Sequence, residues 1–144
     1  MSAAEQVSAS DEKEAIREVL YGYCYGTDGG DTELWVEGFT EDCVWDGGAF
    51  GMLKGKDAMR EFHRASGEGS KALRHLTLNS VIDLDGDTAH VVSYVAVVAQ
   101  GQPAAIYFLG HYDDQFVKVD GQWRIKSRKV RADLADIDAP KVRA

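Results

Sequence analysis

The stretch LRHLTLNSVIDLDGDTAHVVSYVAVVAQGQPAAIYFLGHYDDQFVKVDGQWRIKSRKVR, residues 73–131, decides the fold. Its apolar residues recur with a period of two, the signature of strands whose side chains alternate between faces. Two Asp-Gly pairs, Asp85-Gly86 and Asp120-Gly121, stand between apolar runs and predict tight hairpins. Gln100-Gly101-Gln102-Pro103 predicts a longer turn. The expected strands are therefore 73–84, 87–99, 104–119 and 122–131, joined as an antiparallel meander. Upstream, the period changes. Ile16, Val19, Leu20 and Tyr23 follow helical spacing, so a first helix is expected from Asp11, with Glu14 as its capping-box partner and Gly26, Gly29 and Gly30 at its end. A second helix is expected over about 31–39, a short strand at Cys43-Val44-Trp45, a loop at 47–51, and a third helix opening at Lys56-Asp57. Helices followed by consecutive strands imply an α+β domain, not alternating βαβ units. A twisted sheet this long can curl around three helices as a cone and leave a cavity between its concave face and the first helix.

The chain has 144 residues, which is the length of one domain. Residues 1–10 are expected to be a flexible N-terminus, 11–131 the folded domain, and 132–144 a polar tail able to cover the cavity mouth. With 16 Lys and Arg against 24 Asp and Glu, the net charge is −8, which argues against nucleic acid and anionic membrane as partners. No apolar run approaches the roughly 18 residues of a membrane span, and no basic-then-apolar leader opens the chain. Two cysteines, Cys24 and Cys43, make no disulfide framework, so a cytoplasmic, reduced setting is expected. Val91, Val95 and Val97 are expected on the outer face of the meander, where apolar side chains predict a homo-oligomer, a dimer or trimer.

Several chemistries are disfavoured by spacing. Gly47, Gly48 and Gly51 do not open a βαβ unit, and Gly51 to Lys56 has neither the spacing nor the Ser/Thr of a phosphate loop. His63, His75, His90 and His111 show no HxxxH or HExxH pairing, so no metal is expected. No Gly-x-Ser-x-Gly elbow is present. What remains is a tyrosine and an aspartate five residues apart at the end of the first helix, Tyr23 and Asp28, a histidine on the first long strand, His75, and an arginine on the last, Arg128. A carboxylate bonded to one imidazole nitrogen fixes the tautomer, leaves the other nitrogen as a base, and stabilises the imidazolium. Read plainly, Asp28 can equally terminate a helix, and Tyr23 and His75 can be core residues. Strict alternation from Trp123 and Ile125 puts Arg128 on the solvent face, and only a bulge would turn it inward. His111 and Asp113 share a strand face with Leu109 and Tyr107, which makes them candidate pocket residues. So are Trp45, Phe39, Phe50 and Leu73.

Segments along the chain, EAIREVLYGYCYGTDGGDTELWVEGFTEDCVWDG, ALRHLTLNSVIDLDGDTA and DDQFVKVDGQWRIKSRKVRAD, resemble SnoaL-like domains of the nuclear-transport-factor-2-like superfamily over roughly residues 11–134. The resemblance implies a cystatin-type curved antiparallel sheet wrapped around three N-terminal helices as a cone with an internal cavity. Scytalone dehydratase, bile-acid 7α-dehydratase and hexachlorocyclohexane dehydrochlorinase are similar proteins of this group. By position, Asp28 and His75 match their aspartate–histidine dyad, Tyr23 the dehydratase tyrosine and Arg128 the dehydrochlorinase arginine. The resemblance implies a cofactor-independent lyase acting on a hydrophobic cyclic hydroxy or keto compound. An isomerase or polyketide-cyclase-like enzyme with the same base, or a non-catalytic binding module, stands as the alternative. The sequence departs from scytalone dehydratase at that enzyme's second histidine, where Gln100 or a neighbour falls, and at His111 and Asp113. Scytalone itself is therefore not the expected substrate.

Overall fold

The computed structural model describes residues 7–133. The predicted tail beyond 133 and residues 1–6 of the predicted flexible N-terminus lie outside them. The chain forms α1 (Ala9–Asp28), α2 (Thr32–Glu37), β1 (Phe39–Asp46), β2 (Met52–Lys54), α3 (Lys56–Ser66) and then β3 (Leu73–Asp85), β4 (Thr88–Ala99), β5 (Ala105–Val119) and β6 (Gln122–Ala132). The helices are followed by one curved, open sheet of order β2-β1-β6-β5-β4-β3. The meander β3 to β6 is antiparallel throughout. β1 joins it in parallel beside β6 and pairs antiparallel with β2, so the sheet has two strands more than the meander. No described helix is long and apolar enough to cross a membrane.

Local chemistry explains the element ends. α1 starts two residues before the expected Asp11, because Ser8 is its N-cap and accepts a hydrogen bond from the Asp11 amide at 3.1 Å. Its inward stripe, Ile16, Leu20, Tyr23, Cys24 and Thr27, is buried. Glu12 ties the start of α1 to the β5–β6 hairpin, accepting from Lys118 Nζ at 2.6 Å and from the Trp123 indole. At the other end α1 and α2 approach so closely that a Cβ on Gly26 would lie 2.4 Å from the Trp35 backbone nitrogen. α2 ends at Glu37, earlier than predicted, and Phe39 opens β1. In the β5–β6 turn Asp120 and Gly121 both have positive φ, 51° and 77°, the pairing a two-residue hairpin needs.

The concave face and the helices enclose one core, which includes Ile16, Leu20, Phe39, Met59, Phe116 and Ile125. Burying each such side chain contributes about 1.5–3 kcal/mol. Val91, Val95 and Val97 belong to this core, not to the outer face predicted for them. The opposite parity of β4 and its neighbours faces out and leaves Leu76, Leu78, Tyr94 and Leu109 exposed. Four register shifts interrupt the sheet: at Phe39/Val44 in β1 opposite β6, at Leu78/Val81 in β3, at Val97/Val98 opposite β5, and at Gln115/Phe116 opposite β6.

Candidate active site

Between the helices and the sheet lies a cavity of about 360 Å³. His75 on β3 lines it. Its Nδ1 is 2.6 Å from Asp28 Oδ1, and its backbone N–H donates to Asp28 Oδ2 at 2.9 Å. Asp28 is the last residue of α1, so the helix end presents the carboxylate to the strand. Both oxygens are spent on one residue. That clamps the imidazole in position and leaves Nε2 as its remaining nitrogen. Asp28 is not a lining residue, so the carboxylate stands behind the ring.

Tyr23 also lines the cavity, and its hydroxyl accepts a hydrogen bond from Trp45 Nε1 at 3.1 Å. The phenol O–H stays available as a donor. Trp45, Phe50, Leu73 and Tyr107 line the wall as the sequence suggests. Four expected residues lie elsewhere. Phe39 is buried in the core against Tyr23, with ring centroids 6.0 Å apart. His111 and Asp113 fall on the outer face of β5, because its inward face is the other parity, Phe108, Tyr112, Asp114 and Phe116. There His111 pairs with Asp133 at 3.0 Å and Asp113 with His90 at 2.8 Å.

Arg128 is the fourth. β6 skips a pairing at Lys126, between Ile125 and Ser127. This bulge reverses the alternation and sends Arg128 inward, to 0% exposure. It does not reach the cavity wall. Its guanidinium is held by both Asp114 oxygens at 2.8 Å and lies 4.3 Å from the Tyr23 ring centroid and 3.8 Å from that of Tyr112. Arg128 thus braces two cavity tyrosines from behind. Burial raises the Asp114 carboxyl above the usual range against the pull of Arg128, and the Arg128 guanidinium is held charged by Asp114. Burial also raises the Tyr112 phenol well above its ordinary value.

Other wall residues escaped the sequence reading, among them Tyr112, Trp35 and His63. His63 was legible in principle: it lies four residues after buried Met59 on α3, one turn along the same face. Tyr112 shares the parity of Phe108 and Phe116, the more aromatic face of its strand. No group of three His, Cys, Asp or Glu residues suited to a metal occurs among the described residues. Cys24 and Cys43 are free and buried, and burial raises both thiols.

The SnoaL-like domain profile matches residues 8–129. A variant of Rv3472, a Mycobacterium tuberculosis protein of unknown function, is 31% identical with a TM-score of 0.77, over 88% of this chain and 76% of that one. A Novosphingobium aromaticivorans protein provisionally assigned as a scytalone dehydratase is 29% identical with a TM-score of 0.72, over 92% and 95%. A Nostoc punctiforme protein of unknown function with a cystatin-like fold is 26% identical with a TM-score of 0.80, over 90% and 96%. No curated protein matches.

Proposed function

Since the chain belongs to the SnoaL-like domain family, we propose that it is a cofactor-independent lyase of the dehydratase type, acting on a hydrophobic cyclic hydroxy or keto compound. The observation that carries this reading is His75 on the wall of an open, largely aromatic cavity, with Asp28 behind it at 2.6 Å. His75 Nε2 removes a proton from the carbon beside a carbonyl, and Asp28 stabilises the imidazolium so formed. The C–H electrons become the new double bond as the neighbouring C–O bond breaks. The Tyr23 hydroxyl supplies the proton that lets the oxygen leave as water. A proton passed from the imidazolium to the tyrosinate through solvent resets the site. Arg128 acts as a positioning residue: it holds Tyr23 from behind and touches no substrate. The likeness to a provisional scytalone dehydratase supports elimination. The free, buried cysteines fit a cytoplasmic setting, and the apolar outer face fits a homo-oligomer.

The test is turnover of a panel of cyclic β-hydroxy-ketones by the wild type, His75→Ala and Asp28→Asn. Loss of the base is expected to lower kcat by roughly 10²–10⁴. Turnover in His75→Ala equal to wild type overturns the assignment. Conversion of an enolisable ketone with no water released replaces the lyase by an isomerase using the same base.

A further inference from the structure

His75 is not the only imidazole on the cavity wall. His63 on α3 is 3% exposed and stacks on Trp35 of α2, with ring centroids 4.8 Å apart and planes inclined by 22°. Thr32 Oγ1 lies 2.8 Å from His63 Nδ1 and anchors that side of the ring. His63 Nε2 and Trp35 Nε1 have no hydrogen-bond partner among the described residues, and both side chains belong to the cavity lining. Nine-tenths or so of buried polar groups in native proteins are paired, because an unpaired one forfeits its hydration. Two unpaired nitrogens on stacked rings of one wall mark a place where a ligand oxygen would make good the loss.

The two histidines are built alike and anchored differently. Each is held at Nδ1, His75 by a carboxylate and His63 by a neutral hydroxyl. Burial pushes the His63 imidazole below its ordinary value, against the Thr27 carbonyl and Asp31, and charge on His75 pushes it the same way. A neutral imidazole offers Nε2 as donor or acceptor, according to which way the Thr32 hydroxyl turns, and the Trp35 N–H donates. No Lys, Arg, Asp or Glu lines the cavity among the described residues, so the wall suits uncharged oxygens.

We propose that His63, with Trp35 beside it, is a second polar station of the cavity that hydrogen-bonds a hydroxyl or carbonyl oxygen away from the dyad. It selects ring compounds bearing two oxygens over those bearing one. This deepens the ligand class given above and rests on the cavity being the ligand site, but it does not depend on the reaction. A site built to bond an oxygen rejects the analogue lacking it, because its own groups are then left unpaired.

Titration calorimetry with 2-naphthol and with 1,6-, 2,6- and 2,7-dihydroxynaphthalene tests it. At least one diol is expected to bind wild-type protein about five- to tenfold more tightly than 2-naphthol. His63→Phe is expected to bring that diol within about twofold of 2-naphthol, and His63→Gln to keep part of the advantage. The proposal is overturned if no diol outbinds 2-naphthol, if none of the four binds, or if the preference survives in His63→Phe. Should His63→Phe not fold, the ¹⁵N resonance of His63 Nε2 in the wild type decides. It must move on saturation with the preferred diol, and an unmoved signal overturns the proposal. Because binding needs no turnover, diol selectivity without any lyase activity removes the reaction and keeps this station. His75-dependent turnover without selectivity does the reverse.

Discussion

Arg128 shows how much one residue of register is worth. Alternation along β6 assigns it to solvent, and the bulge at Lys126 carries it into the core. A bulge costs one ladder pairing and is written in no local residue type, so only the pairing with β5 reveals it. The result is an ion pair with Asp114, both side chains at 0% exposure. Removing one member of such a pair strands the other charge. Asp114→Ala is therefore expected to destabilise the protein by about 3–5 kcal/mol. Urea unfolding followed by tryptophan fluorescence measures it, and a loss under about 1 kcal/mol would mean that the pair is not buried in solution. Asp28 and His75 can be picked out as chemistry because their positions match the aspartate–histidine dyad that the SnoaL-like resemblance implies. Their 2.6 Å contact needed the helix and the strand brought together.

At the scale of elements, the helix–helix contact behind the dyad depends on the absence of a side chain. Gly26 sits where α1 and α2 cross, and a methyl group there would meet Trp35 backbone atoms that cannot swing away. Gly26→Ala is expected to cost about 1–3 kcal/mol despite the better helix propensity of alanine. Thermal unfolding reads this as a fall of several degrees in Tm; a variant as stable as wild type would show that α2 shifts freely. The same crossing positions Trp35 and, through Asp28, the end of α1. The four meander strands are legible to within about a residue at their ends, since period-two patterning and Asp-Gly turns are local signals, whereas β1 starts four residues before the expected strand and β2 is not foreseen. Which face of β4 and β5 points inward is not legible. Both faces carry apolar residues, so alternation alone puts Val91 outward and His111 inward, and each has the opposite place. Competition between two half-apolar faces is resolved only by what packs against them.

At the scale of the whole molecule, the sheet is covered by helices on one side only. Its outer side exposes Leu76, Leu78, Tyr94 and Leu109 on adjacent strands, and a contiguous apolar patch is what an interaction surface presents. A second copy applied to this face would bury it. Sedimentation velocity at micromolar protein is expected to give a dimer or trimer, and Leu78→Glu to shift it toward monomer. A monomeric wild type would end that expectation.

Helical and strand periods, hairpin turns and the α+β order are local properties of neighbouring residues, and they could be read directly. The SnoaL-like resemblance came from the same source. The parallel docking of β1, the inward turn of Arg128, the pairing of His63 with Thr32 and the retreat of His111 and Asp113 to the outer face came from packing. Each depends on contacts between residues far apart in the chain, whose free energy exists only once the helices and the sheet close on one another.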